Sequence, residues 1–396
     1  MTKPTATLAD LAQAVTRRTE SVFAPAIADL AATAAATYAG ARVLISGGAG
    51  FIGSETLKLI LAHRPALVVI VDTWENGLAE LVRQLRTTGA VDPTTRIEPR
   101  LVDATSPLVD RVIAEEGPFD VALAFAAAKH VRTERDVYSG LHMTNTNVWG
   151  TLRLLQAAHD GNPDCRLFMV STDKAADPSS LMGASKRLME RAVFERLPQV
   201  TTTRFANVAF SNGSLLESWV RRLGACQVLP VPADTSRFFV QPVEAGQLCL
   251  ASSLAPAGSI VVPTPGTVED TNLEEALLRV LDCLGERHEY VADAAAAPAV
   301  VARGAMPILR TVRDTAGEKQ AEIFVGAGET AVPWLSNLER IDGPAERPAV
   351  GGALAWLAAA VAGETRPTLS DLMAAVSAAV PEFSHVESDK RLDDRI

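Results

Sequence analysis

The apolar positions change rhythm along the chain. In residues 1 to about 40 they recur at helical spacing, at Leu8, Leu11 and Val15 and then at Phe23, Ile27 and Leu30. Pro25 suits the first turn of a second helix. From Arg42 to about Val208, short apolar runs alternate with amphipathic stretches. The runs at 42–46, 67–71, 97–102, 120–125, 166–171 and 202–209 predict strands, and helical patterns fill most of the gaps. This alternation predicts an α/β fold, a Rossmann-type doubly wound parallel sheet with helices on both faces. Further on, Ala292 to Ala299 reads as a short Ala-rich linker. Pro348 to Gly363 is uncharged but shorter than the roughly 20 residues of a membrane span, so it reads as a packed helix. The segment 1–40 is a helical extension, serving either as a packing and dimerisation appendage or as a cap over another surface.

One junction in this pattern carries chemistry. The strand run Val43 to Ile45 is followed by Gly47, Gly50 and Gly53, then by a helical pattern at Ile52, Leu57, Ile60 and Leu61. Glycines there let the backbone turn sharply and let a pyrophosphate reach the amides at the helix start, where the dipole favours negative charge. The second strand ends in Asp72, nineteen residues beyond Gly53, where a carboxylate can hydrogen-bond the adenosine ribose. A bare glycine triplet could be an ordinary loop; the strand, the helix and the acid together make it a dinucleotide site. Thr73 and Trp74 follow Asp72, with no nearby Arg or Lys to receive a 2′-phosphate. NAD is therefore expected in preference to NADP. Asp103 and the stretch Ala124 to Ala128, small apart from Phe125, fall at the carboxyl edge of the sheet, leaving room for a flat cofactor or equally for tight helix–sheet packing.

Composition narrows the remaining classes. The 396 residues are 48% hydrophobic and 21% charged, an ordinary globular balance with room for two domains. A formal charge of −10 argues against a nucleic-acid surface but leaves open an anionic small substrate. Cys165, Cys226, Cys249 and Cys283 lie far apart and suggest neither a disulfide framework nor a zinc site. None of the six histidines has metal-ligand spacing, so no metal is expected. Charges at Asp10, Arg17, Arg18 and Glu20 exclude a secretory signal, and a cytoplasmic location without membrane partners is expected.

The fifth strand leads into Ser171-Thr172-Asp173-Lys174, a loop through Pro178, and a helix bearing Met182 and Lys186 on one face. Alone, the adjacent acid and base could be a solvated pair. The strings GGAGFIGSE, AAAKHV, NVWGT, STDKAADPSSLMGASKRLME, RFANVAFSNGS and TSRFFV occur in this order, with RDTAGEK at 313–319. Together they resemble the extended short-chain dehydrogenase/reductase superfamily, and within it the polysaccharide-biosynthesis branch of UDP-N-acetylglucosamine 4,6-dehydratases.

That resemblance, over about residues 41 to 325, implies an NAD-binding domain at 41–210. It implies a mainly substrate-binding domain at 211–396, with about 237–262 returning to the first. It implies catalytic roles for Thr172, Asp173, Lys174, Met182 and Lys186. Cofactor contacts fall to Gly47, Gly50, Phe51, Ile52, Gly53, Asp72, Asp103, Ala126, Lys129, Asn147, Ser171 and Lys186. Nucleotide-sugar contacts fall to His130, Asn207, Ser211, Asn212, Arg237 and Arg313, although the two asparagines could simply cap turns, the two arginines form surface salt bridges, and His130 be packed. The superfamily usually has tyrosine where this chain has Met182; larger members of the branch share the methionine. In the implied reaction C4 is oxidised, water leaves across C5 and C6, and hydride returns to C6. Lys174, made less basic by burial and by Lys186, takes the C5 proton, and an Asp173 held protonated by an apolar setting supplies the C6 one. Rival outcomes are an epimerase, a dehydratase acting at other carbons, and a non-catalytic NAD-binding regulator. The helices after Asp136 and after Met182 carry apolar stripes on more than one face, and the resemblance implies that such helices pair across a two-fold axis, hence a homodimer or higher homo-oligomer.

Overall fold

The structure, a computed structural model, describes residues 6–89, 91–129, 134, 136–311, 323–342 and 349–385. His130 and the whole RDTAGEK string, Arg313 included, lie outside the described residues. The strands are β1 Arg42–Ser46, β2 Leu67–Asp72, β3 Arg96–Leu101, β4 Val121–Ala124 and β5 Arg166–Val170, then β6 Thr201–Thr203, β7 Asn207–Val208, β8 Leu229–Pro232, β9 Ser236–Val240 and β10 Ser259–Pro263. They continue as β11 Asp270–Asn272, β12 His288–Val291, β13 Met306–Thr311, β14 Ala331–Leu335 and β15 Leu338–Asp342.

Among the described residues, nine of these strands form one sheet in the order β14-β15-β10-β6-β5-β4-β1-β2-β3. The seven from β10 to β3 run parallel, and the β14–β15 hairpin adds an antiparallel edge. Central strands such as Val43–Ser46 and Leu67–Val71 are buried along their length, as a sheet covered on both faces requires. The order reverses between β1 and β4, and the crevice at that point opens above the strand ends. Two small sheets, β11-β9-β7 and β12-β13-β8, form the other lobe, around Trp219, Leu229, Leu277 and Ile308.

Two expectations change and two are narrowed. The run 202–209 is not one strand: β6 ends at Thr203, and β7 pairs with β9 instead. The chain leaves the main sheet at Arg204, whose guanidinium is drawn into a buried ion network, and the following residues line a cleft. The alanine-rich stretch is not a linker. Asp293 caps the turn Ala294–Ala296, which runs into the helix Ala297–Ala302, in keeping with alanine's helix propensity. The N-terminal segment packs on its own chain: Leu8–Thr16 buries Leu11 and Val15 in the smaller lobe, while Phe23 and Tyr38 join the main core. Arg18 fixes the bend between these parts by a two-pronged bond to the buried Glu244, at 3.0 and 2.6 Å.

Lastly, the helices Gly351–Val361 and Leu369–Ala379 lie over Val137–Thr144 and Leu181–Arg196. Leu372 comes so near Gly140 that a Cβ there would sit 2.7 Å from its methyl. Much of the face expected to pair across a two-fold is covered by the chain itself.

Candidate active site

The site begins with glycine geometry. Gly47 follows β1 with φ +68°, and a Cβ on it would meet Ala126 N at 2.5 Å. A Cβ on Gly53 would meet the Gly47 carbonyl at 2.4 Å. The turn thus packs under the β4 end and delivers the N-terminus of the helix Phe51–Leu61 to the crevice. Asp72 closes the far side, accepting from Ala49 N and Trp74 N, each at 3.0 Å. These residues form a cradle that fits a dinucleotide pyrophosphate and ribose.

Next to the cradle is a cleft of about 320 Å³. Its walls bring together Gly47, Gly50, Phe51, Ile52, Gly53, Lys129, Ser171, Thr172, Asp173, Lys174, Met182, Lys186, Asn207, Ser211 and Asn212. Phe125, Phe205 and Val208 give it an apolar side. A groove of about 1020 Å³ lies elsewhere, between the helices Leu108–Glu116, Thr151–Gly161 and Gly351–Val361. It contains none of the glycines, acids or lysines singled out from the sequence.

The segment Thr172–Lys174 is tied by bonds among its own residues. Thr172 caps the turn Asp173–Ala175 and donates its hydroxyl to Asp173 Oδ1 at 2.6 Å. The same oxygen accepts from Lys174 N at 2.9 Å and Lys174 Nζ at 3.2 Å. Asp173 is buried, but donors surround it rather than apolar groups, and they suit a carboxylate. Lys174 is paired with this acid and partly exposed rather than buried. On the helix Leu181–Arg196, Met182 and Lys186 face the cleft as their four-residue spacing requires. Lys186 Nζ donates to the Val170 carbonyl at 3.1 Å. Burial pushes its pKa down to about 8, against an opposing pull from the Glu190 charge. Burial also lowers Lys129, which Glu217 partly offsets.

Other residues named from the sequence sit behind the walls. Asn147 lies on a π-helical turn, Asn145–Gly150. It is fully buried and spends its amide on the Ala128 backbone in both directions and on Ser185 Oγ at 2.9 Å. It shapes the β4 exit loop from behind. Asp103 accepts from Thr105 N and Oγ1, both at 2.8 Å, and Ala126 backs Gly47. Arg237 on β9 lies outside the cleft walls and donates to its neighbour's carbonyl, Ser236 O, at 2.8 Å.

Sequence reasoning passed over a buried ion network below the segment. Ser171 Oγ donates to Glu190 at 2.6 Å. Arg204, with no exposed surface, forks between Glu190 and Glu329, with contacts of 2.6–2.9 Å to each. Arg187 reaches Glu329 at 2.6 Å and Glu382 at 2.9 Å, and Arg191 also pairs with Glu382. Burial pushes the Glu329 carboxyl up, but Arg204 and Arg187 outweigh it and hold it at about 2. Glu190 and Arg204 stand inside two of the motif strings, which is the signal available; Glu329 has none.

Fold and cleft define a Rossmann-type α/β protein with a glycine cradle at the switch point of its parallel sheet. The chain belongs to the polysaccharide biosynthesis protein family, whose model matches residues 43–297. It is similar to an uncharacterized membrane protein of Methanocaldococcus jannaschii, at 31% identity over 62% of this chain and 72% of that one. It is also similar to the capsular polysaccharide biosynthesis protein CapD of Staphylococcus aureus, at 27% identity over 60% of this chain but 40% of CapD. Among solved structures, Pen from Bacillus thuringiensis shares the fold with a TM-score of 0.62 and 21% identity, over 78% of this chain and 89% of Pen. The Bordetella bronchiseptica enzyme WbmF, solved in complex with NADH, gives 0.52 and 16%, over 64% and 79%. Among the described residues no helix is long and apolar enough to cross a membrane, and no acidic, histidine or cysteine cluster could hold a metal ion.

Proposed function

We propose that this protein is an NAD-dependent nucleotide-sugar 4,6-dehydratase acting on a UDP-N-acetylhexosamine. The observation that carries the reading is the shared cleft of Thr172, Asp173, Lys174, Met182 and Lys186 beside the glycine cradle. The family membership and the NADH complex of WbmF support it.

The residues present fit NAD. The Gly47–Gly53 turn would hold the pyrophosphate, Asp72 the adenosine ribose, and Lys186 the nicotinamide ribose. Bound there, the cofactor would supply a hydride acceptor that also returns the hydride. The chain's own residues do the proton work. The C4 hydroxyl proton leaves to Lys186 in its amine form or to water as the ketone forms; the ketone acidifies the C5 proton, and Lys174 removes it as an amine and later returns it to C5. Asp173 protonates the departing C6 hydroxyl, leaving a C5–C6 double bond that hydride at C6 and a proton at C5 then saturate. Met182 cannot move a proton; it shapes the wall. Ser211, Asn212 and Asn207 offer hydrogen bonds to the sugar from the opposite wall. Phe125 and Phe205 limit water at the reacting carbons.

The test is mass spectrometry of products after incubation with UDP-, dTDP- and GDP-sugars. Loss of one water to give a 4-keto-6-deoxy sugar is expected from a UDP-N-acetylhexosamine. An isomer of unchanged mass would make the protein an epimerase, an exocyclic unsaturated product would move the elimination to other carbons, and no turnover despite NAD binding would leave a regulator.

A further inference from the structure

We infer that Glu329, which lies beyond the 43–297 family match, is a positioning residue that sets the catalytic segment through Arg204, Glu190 and Ser171. The role in turnover rests on the dehydratase reading; the role in holding the segment does not.

Residues after 322 meet the catalytic stretch 171–182 from below at several points. Gly326 presses against the Ala176 carbonyl, so closely that a Cβ would sit 2.7 Å from it. Ser384 N donates to the Pro178 carbonyl at 3.1 Å. His385 lies 3.5 Å from Glu134, whose other oxygen accepts from Met182 N at 3.1 Å. Between these flanking contacts sits the ion network: Arg187, Arg191 and Arg204 with Glu190, Glu329 and Glu382, balanced in charge. Glu329 and Arg204 are almost wholly buried, with side chains 1% and 0% exposed.

Compared with an apolar packing of the same volume, a network of this kind adds little net stability, because desolvation offsets most of the attraction, although removing one partner alone is costly. What it supplies is direction. A guanidinium held by two carboxylates can rotate toward neither, so Glu329 fixes Arg204, and Arg204 fixes Glu190 through a second fork. Glu190 in turn takes the Ser171 hydroxyl, one residue before Thr172 and Asp173. The cleft thus inherits its geometry from a side chain that touches neither cofactor nor substrate.

The experiment compares the wild-type chain with Glu329→Gln, which keeps shape and removes the charge, and with Glu329→Asp, which keeps the charge and stays folded should the first unfold. Hydrogen exchange followed by mass spectrometry reads peptides covering 171–180. Exchange there should quicken about tenfold or more in Glu329→Gln, and less in Glu329→Asp. At 15 °C, with circular dichroism showing a folded chain, kcat for the nucleotide sugar should fall about 10–100-fold while KM stays within threefold. Adding Arg187→Gln to Glu329→Gln rebalances the charge and should recover melting temperature without recovering kcat. The inference is overturned if exchange in 171–180 is unchanged, or if kcat falls only in step with the folded fraction. A wild-type chain that turns over no sugar sinks the dehydratase reading, and the exchange result still decides whether Glu329 holds the segment.

Discussion

Replacing Gly47 by alanine tests the base of the nucleotide cradle. Two costs follow from the geometry. At φ +68° an L-residue is in the left-handed region, at about 1–2 kcal/mol. Its Cβ would also stand 2.5 Å from Ala126 N and 2.7 Å from the Phe125 carbonyl carbon, backbone atoms that cannot swing aside. Overpacking of this sort costs about 1–3 kcal/mol. The stiffer unfolded chain returns about 0.4–1 kcal/mol, for a net loss of about 2–4 kcal/mol. In a chain of 396 residues, a melting entropy of about 2 cal/mol/K per residue turns this into about 2–5 °C. Because the displaced backbone adjoins the cleft wall, NAD affinity should fall about tenfold as well. Differential scanning calorimetry and an NAD titration by intrinsic fluorescence measure the two effects. Gly161→Ala is the control: it has nothing within 4 Å of its Cβ and ends a helix, so it should be neutral or slightly stabilising. A Gly47→Ala protein melting within 1 °C of wild type and binding NAD equally well would refute the close approach.

Further expectations concern the cleft and its support. Asp173→Asn and Lys174→Met should each reduce turnover about 10²–10⁴-fold with little change in NAD affinity, whereas Met182→Ala should cost less than tenfold; the reverse order would dismantle the role assignments. Lys186 titrates near 8 when folded against an ordinary 10.5, so the unfolded chain holds the extra proton between those values. Stability should therefore rise by about 3 kcal/mol from pH 8 to 10.5, and Lys186→Met, measured by urea unfolding, should abolish that rise. Glu329, held at about 2 against 4.5, should contribute about 3 kcal/mol that is fully present above pH 4.5 and lost as pH falls to 2. Glu329→Gln should flatten acid unfolding across that window. Titration should find NAD bound more tightly than NADP, since the Asp72 carboxylate repels a 2′-phosphate.

Most of the sheet was legible because parallel strands covered on both faces read as unbroken apolar runs, and Leu67–Val71 needs no partner to be recognised. The failures come from tertiary causes. The run 202–209 keeps strand-like residues past Thr203, and only the distant carboxylates of Glu190 and Glu329 explain why the chain turns out at Arg204. The β14–β15 hairpin escaped notice because it is an edge, carrying Pro333, Glu339, Arg340 and Asp342 where a central strand would be apolar. In the site, spacing within one turn or one helix was readable: Thr172 to Lys174, and Met182 with Lys186. Asn147 was marked as important but not for its reason, since its bonds to Ala128 depend on a π-helical turn that no pattern announces. Glu329 bonds residues 125 and 142 positions away, and a glutamate destined for burial looks like any other.

The methionine at 182 makes proton bookkeeping the central question of the proposed reaction. The pair Asp173–Lys174 answers it for the C5 and C6 protons, while the C4 hydroxyl proton leaves to Lys186 in its amine form or to water. An ammonium beside a carboxylate holds the same number of protons as an amine beside a carboxylic acid, and Nζ lies 3.2 Å from Oδ1, within reach of a direct transfer. In water the second form lies about 9 kcal/mol higher, from the ordinary acidities of the two side chains. A sugar that fills the cleft strips water from the partly exposed Lys174, and the ion pair loses more solvation than its neutral tautomer. Substrate binding therefore drives the pair toward the form in which Lys174 can take the C5 proton and Asp173 can give one to the C6 hydroxyl. Those two transfers return it to ammonium and carboxylate; the ammonium then gives C5 its proton as hydride reaches C6, and a proton equal to the one released from the C4 hydroxyl restores the pair. On this account kcat should be flat between the two apparent acidities of the pair, because the total proton count, not its distribution, sets activity. An activity that climbs steadily through neutral pH would show instead that one group must lose its proton to solvent before each turnover.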